Sequence, residues 1–62
     1  MSATRVLIVE DEVIVAESLR RNLEASGYEV IGHAMDGREA INLARLQHPD
    51  VVLMDVVLRG GT

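Results

Sequence analysis

Apolar residues in this chain fall into short blocks whose spacing changes from one block to the next. Val6-Leu7-Ile8-Val9 is an unbroken run, too short for a helix and rich in β-branched residues, which predicts a strand buried on both faces. After it, Val15, Leu19 and Leu23 recur at four-residue spacing. Ala16 widens that stripe while Arg20, Arg21 and Glu24 point away, the pattern of an amphipathic helix. Asp11 is placed as the N-cap of this helix and Gly27 as its left-handed stop. Tyr28 to His33 returns to strand character around Val30 and Ile31. Asp36 and Glu39 have the spacing of a capping box, and Ala40, Ile41 and Ala44 give a second helix its apolar face until Pro49 stops it. Asp50 to Met54 follows as a third strand.

Alternation of strand and helix with connections of a few residues predicts the α/β class and a parallel sheet. With 62 residues there is room for one small domain, and the chain shows no internal repeat, low-complexity tract or linker. A chain of this size buries roughly 60% of the surface its unfolded form exposes. A single core below ~70–80 residues supplies only about 3–5 kcal/mol, so stability is expected to be marginal. The sequence has no Cys, which excludes disulfides and thiolate metal sites as staples.

The formal net charge of −4 argues against a nucleic-acid surface on this segment. Its longest uninterrupted apolar runs are four residues, and no signal-peptide core stands at the N-terminus, so a cytoplasmic protein with no membrane segment is expected. All 6 basic residues are Arg, and lysine is absent.

The candidate chemistry lies in the acids. Asp55 is set inside Val51-Val52-Leu53-Met54-Asp55-Val56-Val57-Leu58, where an ionised carboxylate needs a partner or a cation. The first apolar run likewise ends in Glu10-Asp11-Glu12. Ligands of open parallel sheets bind outside the carboxyl ends of the strands where the strand order reverses. A first strand lying between the second and third would therefore gather Glu10, Asp11 and Asp55 at one edge. Mutual repulsion there is relieved by a hard divalent cation, and Mg2+ suits such a site because it takes one or two carboxylates and keeps several waters.

The segments Val6-Leu7-Ile8-Val9-Glu10-Asp11-Glu12, Gly27-Tyr28-Glu29-Val30, Asp36-Gly37-Arg38-Glu39-Ala40 and Pro49-Asp50-Val51-Val52-Leu53-Met54-Asp55 resemble, in order and spacing, the receiver domain of two-component response regulators. The resemblance covers nearly the whole chain. It implies a flavodoxin-like, doubly wound fold with strand order 2-1-3. It also implies a phosphorelay role in which Asp55 accepts a phosphoryl group from a sensor histidine kinase or phosphotransfer protein. By the same resemblance Asp11 would be a direct Mg2+ ligand, Glu10 would act through a metal-bound water or a longer contact, and Asp55 and the backbone carbonyl of Val57 would complete the set. Such a domain catalyses only its own phosphorylation and is not an enzyme acting on turnover substrates.

This chain differs from the family pattern in three ways. Glu10 stands where Asp is commoner, Arg59 replaces a Pro, and three strands are present where a whole receiver has five. The family's phosphoryl-sensing hydroxyl residue and its paired Lys fall in the absent part. Residues 1–62 are thus expected to form the N-terminal half of a receiver, with an exposed third strand, so that the isolated chain either self-associates into a homo-oligomer or is only partly folded. Two competing readings are a protein-interaction or assembly module that is never phosphorylated, and a small Mg2+-dependent phosphatase, which lacks the further acids and bases it would need. The remaining polar residues have plainer roles. Glu12 reads as first-turn helix charge, His48 as support for the second helix's C-terminus, Gly60-Gly61 as loop, and Arg20, Arg21, Arg38 and Arg45 as solvated helix faces. His33 and His48 do not have the spacing of a metal site.

Overall fold

The structure is a computed structural model that describes residues 3–54. Its elements run β1 (Arg5–Val9), α1 (Val13–Ala25), β2 (Glu29–Ala34), α2 (Gly37–Gln47) and β3 (Val51–Met54). The three strands form one parallel sheet in the order β2-β1-β3. This is the flavodoxin-like arrangement, with the first strand central and the strand order reversing beside it.

Being central, β1 is enclosed from both sides, and its alternating side chains divide the core in two. Val6 and Ile8 pack with Ala16, Leu19 and Leu23 of α1 and with Val30 and Leu53 of the flanking strands. Leu7 and Val9 pack with Ala34 and with Ala40, Leu43 and Ala44 of α2. One helix thus covers each face, as right-handed crossovers require. Both helices lie over β1 and β2, which leaves Val51, Val52 and Met54 of β3 exposed.

The helix ends follow from particular residues. Glu12, one position later than the expected Asp11, is the N-cap of α1, and its side chain makes no capping hydrogen bond. At the other end Gly27 adopts φ 94°, its N–H donates to Glu24 O, and Tyr28 N–H donates to Leu23 O, a Schellman closure. Asp36 caps α2 by accepting from Glu39 N–H at 2.9 Å. The return arm reaches one residue further than the standard box, since Glu39 Oε1 accepts from Met35 N–H at 2.7 Å. The apolar face of α2 is Ala40, Leu43 and Ala44, whereas Ile41 is 56% exposed. A helix stripe has room for positions three and four apart, and Ile41 falls beside it. The helix stops at His48, a left-handed C-cap, immediately before Pro49.

Surface charge on α1 is locally paired. Arg20 bonds Glu17 and Glu24, and Arg21 approaches Glu17 at 3.7 Å. The hydrogen bond from Arg20 holds the Glu17 carboxyl below its ordinary value. These groups are well solvated, so the pairs organise the helix surface and add little to stability.

Candidate functional site

β1 delivers the chain at Val9 directly into Glu10-Asp11-Glu12 at the carboxyl edge of the sheet, the edge where a doubly wound fold places its ligands. Glu10 is only 2% exposed. Its backbone is held from β2 on two sides. The Glu10 N–H donates to Ala34 O at 2.9 Å, and its carbonyl oxygen accepts from His33 Nε2 at 2.6 Å. The side chain turns toward the start of α1, where Oε2 accepts from Glu12 N–H at 3.2 Å. A buried carboxylate is costly without such donors, and the positive end of a helix is a favourable place for one.

Asp11 is exposed and lies one residue before the N-cap. Two consecutive acids therefore stand at the end of the central strand, one fixed by burial and the other open to solvent. A donor set made only of carboxylate oxygens is hard, and it fits a hard divalent cation that keeps part of its water shell. Among the described residues no group of three or more His, Cys, Asp and Glu could hold a metal ion. The two further expected contributors, Asp55 and the Val57 carbonyl, lie outside the described residues, as do Arg59 and Gly60-Gly61. Met54, the last residue of β3, pairs with Val9, so β1 and β3 end level with each other.

The spacing of His33 along the chain suits no metal site. The structure brings its ring onto the backbone of Glu10. Nothing in local periodicity signals this, because the contact depends on the register between β1 and β2. His48, at the far end of α2, stands at the opposite edge of the sheet, where its carbonyl accepts from Arg5 Nη1 at 2.9 Å.

Comparison with known proteins agrees with this geometry. A family model described as the response regulator receiver domain matches residues 6–62. The chain is 52% identical over 52 residues to the transcriptional regulatory protein PdtaR of Mycobacterium tuberculosis, covering 84% of this chain and 25% of that protein. It is 44% identical over 54 residues to the alkaline phosphatase synthesis transcriptional regulatory protein PhoP of Bacillus subtilis, covering 87% of this chain and 22% of that protein. It is 49% identical over 53 residues to the polar-differentiation response regulator DivK of Brucella abortus, covering 86% of this chain and 42% of that protein. The chain thus spans between 22% and 42% of the length of these relatives.

Proposed function

The chain belongs to the response regulator receiver family of two-component systems, and from that membership we infer that it works as a phosphoacceptor, with Asp55 as the residue modified. The observation that carries this reading is the pairing of Val9 with Met54, because it brings the buried Glu10, the exposed Asp11 and the chain leading into Asp55 to one edge of the sheet.

In the proposed reaction an Asp55 carboxylate oxygen attacks the phosphorus of a phosphohistidine in line. The new P–O bond forms as the P–N bond breaks, which leaves an aspartyl phosphate on this chain and an imidazole on the donor. Glu10 and Asp11, with Asp55 and the Val57 carbonyl, would hold Mg2+. When bound, the ion offsets negative charge on the phosphoryl oxygens. Glu10 contributes a carboxylate whose backbone is fixed in advance, while Asp11 offers one open to solvent. Little other chemistry is asked of the protein, since phosphoryl transfer depends mainly on positioning and charge.

We assign the donor to a sensor histidine kinase or phosphotransfer protein, the location to the cytoplasm, and residues 1–62 to the N-terminal half of a receiver. Among the described residues no helix is long and apolar enough to cross a membrane. The role is that of a signalling switch that catalyses its own phosphorylation. A second reading, an assembly module without phosphorylation, draws support from the exposed Val51, Val52 and Met54 of β3.

Incubating the intact protein with Mg2+ and acetyl phosphate separates the two. A gain of one phosphoryl mass in the parent, absent from Asp55→Asn and abolished by chelation, is the expected result. An unchanged parent mass, or an equal gain in Asp55→Asn, rejects Asp55 as the acceptor.

A further inference from the structure

A bulge in β2 gives His33 a role that the acids alone do not reveal. Pairing between β1 and β2 runs Arg5 with Glu29 and Val6 with Val30, then shifts so that Leu7 faces Gly32. Ile31 is the extra residue, and one extra residue moves every later side chain of a strand to the other face. The consequences are visible on both faces. A Cβ at Gly32 would meet Leu7 Cδ1 at 3.4 Å and Leu43 Cδ1 at 3.9 Å, and Ala34 joins the cluster beneath α2. His33, opposite Ile8, instead lines a cleft with Ala16, Glu17 and Arg20 of α1. An unbulged strand would set His33 opposite Val9, on the α2 face. The cleft, at 220 Å³, is smaller than the roughly 300–1,000 Å³ of ligand pockets.

From the α1 face the ring Nε2 lies 2.6 Å from the carbonyl oxygen of Glu10. A carbonyl oxygen accepts and cannot donate, so Nε2 carries the proton. That carbonyl belongs to the planar peptide unit joining Glu10 to Asp11. Fixing it anchors the two Cα atoms from which both carboxylate side chains leave the chain. With Ala34 O accepting from Glu10 N–H at 2.9 Å, two successive residues of β2 hold both backbone groups of Glu10.

We propose that His33 is a positioning residue of the acidic site, acting through the Glu10–Asp11 peptide to preset the carboxylates for Mg2+. The proposal rests on the phosphoacceptor reading above and extends it. Groups that orient metal ligands typically change metal affinity about 10–100-fold when lost.

The test uses the intact protein and Mg2+ alone, with binding followed through the backbone amide shifts of Glu10 to Glu12. His33→Phe keeps a ring without the donor, whereas His33→Gln retains an N–H at similar reach. The expected result is Mg2+ binding about 10-fold weaker in His33→Phe and within about threefold of the parent in His33→Gln. In acetyl phosphate reactions the half-saturating Mg2+ concentration should rise in parallel, while the rate at saturating Mg2+ is kept. Equal affinity in the parent and His33→Phe, or equal loss in both folded variants, overturns the proposal. Nitrogen NMR of the unmutated His33 ring gives a check that needs no variant: a proton on Nε2 is expected, and an Nδ1–H tautomer overturns it. A parent that binds Mg2+ but gains no phosphoryl mass counts against the phosphoacceptor reading and leaves the His33 comparison decisive for its own claim.

Discussion

Gly27 and His48 end the two helices in left-handed backbone, with φ 94° and φ 50°. The first was legible because glycine after an apolar stripe has a ready conformational reason to be there. The second was not. Histidine carries a much weaker signature than glycine, and Pro49 next to it is by itself a stop signal. A Cβ added at Gly27 would meet nothing within 4 Å, so Gly27→Ala isolates the backbone cost. That cost is roughly 1–2 kcal/mol for an L-residue held in this region. Urea unfolding of the intact protein should show the loss, and a midpoint equal to the parent's would mean that the turn relaxes to another conformation. Asp36 and Glu39 were equally legible, since a side-chain cap needs only local spacing. Three acids in a row leave the helix start ambiguous in the sequence, and Glu12 rather than the expected Asp11 takes the cap position.

At the scale of elements, β3 is registered by a latch at its entrance. Arg5 N–H donates to Asp50 Oδ2 at 2.8 Å, Asp50 N–H donates to Arg5 O at 2.9 Å, and Arg5 Nη1 donates to His48 O at 2.9 Å. Arg5 thereby ties the end of α2 and the start of β3 to the first residue of β1, and Val6 meets Val51 directly after it. Asp50→Ala removes one acceptor at an exposed position and should cost about 0.5–1.5 kcal/mol. Asp50→Asn keeps an oxygen there and should lose less. Equal unfolding midpoints for the two variants would place the effect outside the hydrogen bond. Neither this latch nor the bulge at Ile31 shows in hydrophobic periodicity, because both are relations between segments far apart in the chain.

Across the whole molecule, the uneven cover of the sheet dominates. Both helices lie over β1 and β2, and Val52 of β3 is 43% exposed. Among the described residues β3 pairs on one side only, with β1, and an apolar edge of this kind is a template for another strand. The isolated 62-residue chain should therefore self-associate with rising concentration, and Val52→Lys should reduce that association, as a charge on an edge strand does. Sedimentation equilibrium reads both. A parent that stays monomeric across the concentration series would remove β3 as an assembly edge.

Hydrophobic spacing, the helix stops and the resemblance to receivers determined the class and the element order and singled out Glu10, Asp11 and Asp55 as candidates, because those signals are carried by residues close in sequence. The strand order was expected from the resemblance, and pairing in space decided it. Only the tertiary structure decided that Glu10 is buried while Asp11 is open, that Leu43 rather than Ile41 packs on the sheet, and that His33 reaches the Glu10 carbonyl. Each of these depends on which strand lies beside which and in what register. A one-residue shift reverses the face of every side chain that follows, while the local pattern of the segment stays the same.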